Sequence, residues 1–177
     1  QNETEGWVAA PSLRLMREGV HSMSIITLIG VDPGVVHSGV VQIQLDTVRQ
    51  HVGVRQQLID GPDALAIYQA VTDYLTVDNY VLSIEKYEDR GTVFDTHAPM
   101  RKVEMELVKL LPEAQVLSNT GIKKTVTDGL MKLFGLWSFD QTSHHQDLRS
   151  AARIAMLGGL KHPHINTAMA KYVMSVI

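Results

Sequence analysis

The sequence predicts an α/β fold, a mixed five-stranded sheet flanked by helices, and three observations point to it. An apolar, β-branched run, Ser24 to Val31, stops at Asp32-Pro33-Gly34, as a buried central strand does when it ends in a tight turn. Two more strand-like runs follow with no helical pattern between them. From Pro62 onward, apolar residues at helical spacing alternate with short apolar runs. A meander followed by crossover units builds a mixed sheet with helices on its faces.

Each element has its own warrant. Val36 to Leu45 runs largely apolar, while Val48 to Ile59 sets Val48, Val52 and Val54 between polar residues. Asp60-Gly61-Pro62 breaks the pattern. Leu65, Tyr68, Val71 and Leu75 then recur at helical spacing, so Pro62 to Leu75 reads as a helix with proline in its first turn. Tyr80 to Ile84 is a buried strand ending at Glu85, and Ala114 to Leu117 is a short one. Between them Met100, Val103, Leu107 and Leu110 mark a helix whose stripe, with Met105 nearby, is also a candidate subunit interface. Ile122 to Phe134 and His144 to Leu160 read as helices separated by a loop, and Asn166 to Ile177 as a short amphipathic helix.

Composition bounds the function without choosing it. At 177 residues one domain is the default. With 45% hydrophobic and 20% charged residues, the chain is ordinary for a globular protein. Cysteine is absent, which excludes disulfides and thiolate metal sites. No apolar run approaches the ~20 residues of a membrane helix. A formal net charge of -3 argues against a nucleic-acid binder, unless several carboxylates share bound cations that invert the local charge. Residues 1–22 lack periodicity and carry Gly6, Pro11 and Gly19. They are expected to be a disordered N-terminal extension or leader, with the folded domain spanning 23–177.

The chemistry lies in acids at the ends of elements. Asp32 follows the first strand, at the carboxyl edge where ligands collect in open α/β sheets, and Gly34 lets a phosphate or metal approach. Asp-Pro-Gly is also ordinary turn chemistry. Glu85 ends its strand in the same way. If the two strands are neighbours, the carboxylates meet, and buried like charges require a proton or a cation between them. Glu88, close behind, reads as a solvated loop acid. His144 and Asp147, three apart, share one face of the helix that they open. Imidazole and carboxylate suit Mg²⁺ or Mn²⁺, although an acid in a first turn is favourable in any helix. Ala151, Ala152 and Ala155 would let this helix pack closely on the sheet. His145 points elsewhere, toward the surface or the loop.

Asp after the first strand, Glu after the fourth and His-x-x-Asp on the last long helix resemble the RuvC-type Holliday junction resolvases of the RNase H-like nuclease superfamily. The resemblance runs from Met23 to about Leu160. Its best-matched stretches are IGVDPGVVHSGVV, VLSIE, GIKKTVT and HHQDLRSAARIA. It implies an RNase H-like fold and metal-binding acids at Asp32, Glu85 and Asp147, with His144 in the fourth position. It also implies two Mg²⁺ ions per site, which Mn²⁺ can replace, and hydrolysis of a phosphodiester. Lys123 takes the place of a family lysine, Lys124 lies beside it, and Lys132 matches a second lysine approximately. These three would bind the DNA backbone. Tyr87 or Phe94 would be the wedge that opens the junction.

The implied substrate is branched DNA, above all the four-way junction. The implied assembly is a C₂ homodimer, because symmetric cuts need two sites related by a two-fold axis. The implied location is intracellular, wherever the DNA is. The chain departs from the family at Glu88, where an apolar aromatic is common, and at Asp147-Leu148-Arg149-Ser150-Ala151, where Asp-Ala-Asp-Ala is usual. The same catalytic centre would also serve a nuclease for other branched DNA or structured RNA. A non-catalytic junction-binding module and an ATP-handling enzyme of the related actin and hexokinase fold are further alternatives, and the second lacks room for an adenosine-binding domain.

Overall fold

The computed structural model describes residues 25–75, 80–88, 98–140 and 142–177. The expected leader over 1–22 and the wedge candidate Phe94 lie outside these residues. β1 (Ile25–Asp32), β2 (His37–Asp46) and β3 (His51–Asp60) form an antiparallel meander. α1 (Ala64–Tyr74), β4 (Tyr80–Glu85), α2 (Ala98–Leu110) and β5 (Gln115–Leu117) follow as crossover units. α3 (Ile122–Thr125), α4 (Asp128–Leu133), α5 (His145–Leu160) and α6 (Pro163–Val176) complete the described chain. The sheet order is β3-β2-β1-β4-β5, with β4 parallel to β1 and β5 parallel to β4.

Strand alternation decides which side chain meets which layer. In β1, Ile26 and Leu28 face the layer of α3 to α6, whereas Ile29 and Val31 face α1 and α2. The same alternation runs through β2 and β4. Val41, Ile43 and Val81 pack with α5, while Val40, Leu82 and Ile84 pack with α1 and α2. Continued to the strand ends, it carries Asp32, Glu85 and His37 to the α5 face.

α5 lies unusually close to the sheet because small residues meet there. A Cβ added to Gly30 would stand 1.9 Å from the Ala151 carbonyl oxygen, and one on Gly39 would stand 2.7 Å from that of Asp147. Farther along, one on Gly158 would stand 2.0 Å from Ser83 Oγ. Ala151, Ala152 and Ala155 are fully buried in this contact, as the sequence pattern anticipates.

Some boundaries differ from the sequence reading, each for a local reason. β3 starts at His51, not Val48, because Asp46 Oδ1 accepts from the Val48 and Arg49 amides at 3.0 and 2.8 Å and closes a turn. The single helix expected over Ile122 to Phe134 is two short ones. Thr127 adopts an extended conformation and caps the second by accepting from the Leu130 amide. α6 begins at Pro163, a proline in the first turn that the reading from Asn166 overlooks. In α2 most of the stripe proposed as an interface packs into the core: Met100, Val103 and Leu107 are buried, while Leu110 and Met105 are 41% and 59% exposed.

Gly39→Ala or Gly30→Ala is expected to lower stability by about 3 kcal/mol, at the upper end of overpacking costs, since backbone rather than a side chain is in the way. Gly53→Ala, whose Cβ would meet nothing nearer than Gln44 Cβ at 3.9 Å, should be neutral or slightly stabilising. Urea denaturation of the three variants checks this.

Candidate active site

Asp32 and Glu85 are brought together by strand pairing. Val31 pairs with Ile84 across the parallel β1–β4 ladder. The next residue on each strand therefore lies beside its counterpart, at the ~4.8 Å spacing of neighbouring strands. The Asp32 carboxyl sits inside this edge and is held well above the usual carboxylate range. Burial is the main cause, followed by repulsion from Glu85, a hydrogen bond to Glu85 and repulsion from Asp147. The Ser150 hydroxyl opposes the shift by donating to Asp32. The contact with Glu85 thus favours the protonated form of Asp32. Asn119, just past β5, donates from Nδ2 to Glu85 Oε1 at 2.7 Å and fixes that carboxylate from the other side.

Asp147 and His144 approach from α5. His144 occupies the cap position with no side-chain capping bond, and its Nδ1 lies 3.9 Å from Asp147 Oδ2. The seat of α5 against Gly39 brings Asp147 close enough to act on the Asp32 charge. His145, as expected, faces the loop, where its Nδ1 accepts from the Phe139 amide at 3.0 Å.

Beside the acids a cleft of about 250 Å³ is lined by Pro33, Glu85, Tyr87, Glu88, Met100 and Glu104, with Lys86 and Asn119. Tyr87 is half-buried with its hydroxyl in the interior, and its amide donates to Glu104 Oε2 at 2.6 Å. It lines the cleft rather than projecting from it. Glu88 is not the solvated acid that the sequence suggests: it is half-buried and accepts from the Ser118 and Thr120 hydroxyls. Lys123 and Lys124 are exposed on α3, and exposed Lys132 lies over the Trp137 ring at 4.9 Å.

Among the described residues, no group of three or more His, Asp or Glu side chains forms a ready metal cluster. The donor set nevertheless fits a hard divalent cation. Two carboxyls lie side by side, a third is near enough to repel Asp32, and an imidazole stands at the rim. A cation held between them would relieve the repulsion. Sequence reasoning did not single out Asn119, Ser150 or His37. Asn119 falls just beyond a strand end and Ser150 three residues after Asp147, signals too common to stand out.

The sheet order with helices on both faces defines the class: this is an RNase H-like fold. Among solved structures, the chain is similar to T. thermophilus RuvC in complex with a Holliday junction substrate. The TM-score is 0.55 at 12% identity, covering 85% of this chain and 96% of that one. The fowlpox virus resolvase in complex with Holliday junction DNA matches with a TM-score of 0.46 at 11% identity, covering 80% of this chain and 98% of that one. No protein-family model matches the chain, and neither does any curated protein. The likeness to RuvC is one of fold. Among the described residues, no helix is long and apolar enough to cross a membrane.

The folded protein holds the Asp32 proton more tightly than the unfolded chain, where aspartate titrates near 3.8. Stability is therefore lost as pH rises from that value through the raised folded one. In EDTA, Asp32→Asn should melt at a higher temperature than the unsubstituted protein at pH 8, with the gap closing as pH falls toward 4. Thermal melts across this range check it, and equal melting at pH 8 would contradict it.

Proposed function

We propose that the protein is a divalent-metal-dependent endonuclease that resolves four-way DNA junctions. The observation that carries this reading is the half-buried Asp32–Glu85 pair with Asp147 beside it at the carboxyl edge of the sheet. A structural protein gains nothing from such a pair, whereas phosphodiester hydrolysis needs concentrated negative charge to hold cations against a phosphate.

Asp32, Glu85 and Asp147, with His144, would hold Mg²⁺, or Mn²⁺ in its place. Bound there, two such ions supply Lewis-acid stabilisation of the phosphate and an activated water. The chain's own residues do the rest. Asn119 fixes the Glu85 carboxylate. Ser150 donates to Asp32 and favours its ionised form. The buried seat of α5 holds Asp147 in place. Exposed Lys123 and Lys124 would take the DNA backbone, with Lys132 farther along, and Tyr87 would line the path of the strand. Two copies related by a two-fold axis would place nicks symmetrically across a junction.

Asp32→Asn or Asp147→Asn should reduce cleavage by 10³-fold or more, about 4 kcal/mol of transition-state stabilisation, with junction binding in EDTA nearly unchanged. Lys123→Ala should weaken binding and lower its salt slope by about 0.9. The assay offers end-labelled four-way, forked and linear DNA and structured RNA, with Mg²⁺ and with EDTA. Paired, symmetric nicks confined to the four-way junction support the proposal. Cleavage that survives EDTA, or normal cleavage by Asp147→Asn, would contradict it.

A further inference from the structure

His37 is a half-buried histidine in β2 on the α5 face of the sheet, outside the ligand set proposed above. Its Nδ1 lies 3.1 Å from Asp60 Oδ1, on the residue that faces it across the β2–β3 ladder. On its other side, its ring packs on that of His144, with centroids 4.1 Å apart and planes tilted by 54°. His144 lies 3.9 Å from Asp147. Asp60, His37, His144 and Asp147 thus form a chain of side chains from the sheet edge to the acids.

The mount of His37 is rigid. The Gly61 amide donates to the Val36 carbonyl at 2.7 Å, and buried Ser38 takes the Gly34 amide at 3.1 Å while its hydroxyl faces the Gly61 carbonyl at 3.3 Å. A Cβ on Gly34 would stand 1.9 Å from the His37 carbonyl oxygen, so the loop after Asp32 folds directly onto this residue. His144 has the opposite situation. Its side chain is 44% exposed, makes no capping bond and is too far from Asp147 for a hydrogen bond. Left to α5 alone, its ring would sample several rotamers.

We propose that His37 is a positioning residue: held by Asp60, it orients the His144 ring toward the carboxylates. With Nδ1–H donating to Asp60, the His37 ring is fixed in plane and tautomer, and its face fixes that of His144. The consequence for cleavage rests on the nuclease reading given above. The ring orientation itself does not.

The test combines ring resonances with kinetics. In metal-free protein, the His144 imidazole signals, assigned by their loss in His144→Ala, should shift in His37→Ala. They should shift in the same direction in Asp60→Ala, whose side chain is 94% exposed and whose removal leaves the core intact. His37→Ala should lower kcat for junction cleavage by roughly 10–100-fold, the usual effect of losing a group that orients a ligand, with junction Kd in EDTA within twofold. Added to His144→Ala, it should cost nothing further, because both act through one ring. His144 signals unmoved by either variant would overturn the proposal, as would losses that multiply in the double variant. If the unsubstituted protein cuts no substrate, the nuclease reading fails, and the ring signals still decide the positioning role.

Discussion

The backbone of α5 runs in direct contact with β1 and β2 at Gly30 and Gly39, and the geometry of the acidic edge follows from that contact. A Cβ at either glycine would meet backbone atoms of the helix, so no side-chain rearrangement could preserve the spacing. The alanines of α5 meet the glycines of the sheet, and this is what brings the first turn of the helix down to the strand ends. Asp147 then stands close enough to repel Asp32. With a larger residue in place of Gly39, the helix would ride higher, and Asp147 would move away from the Asp32–Glu85 pair. The close seat and the electrostatic problem at the strand ends are one feature.

That problem is costly in the metal-free protein. With two carboxyls side by side at the strand ends, desolvation and repulsion from Glu85 raise the Asp32 pKa and disfavour its charged form. Asn119 and Ser150 satisfy part of the hydrogen-bonding demand by donating to Glu85 and Asp32. The chain tolerates this local instability on a strongly apolar frame: Leu28, Ile29, Val31 and Ile84 are almost wholly buried. Sites of this kind, where local stability is given up for a poised charge, are where function concentrates.

Much of this was legible in the sequence because strands and their ends have strong signals. Alternation and turn residues locate β1 and β4, and the adjacency of these strands places Asp32 beside Glu85 once the fold is granted. The alanines after Asp147 announce the close helix. What stayed hidden depends on tertiary contact. His37 looks like one more polar residue in a strand until β3 supplies Asp60 and α5 supplies His144. Glu88 reads as solvated because nothing local shows that Ser118 and Thr120, thirty residues on, reach it. The break between α3 and α4 is set by Thr127, whose capping role competes with a helical pattern that runs straight through it. The start of β3 is likewise set by the turn that Asp46 closes.

The most direct test is anomalous diffraction from crystals of the protein soaked in Mn²⁺. The proposed site predicts ordered Mn²⁺ in contact with the carboxylates of Asp32 and Glu85, near Asp147. Absence of bound metal at that edge, or metal confined to the cleft beside Glu88 and Glu104, would contradict it.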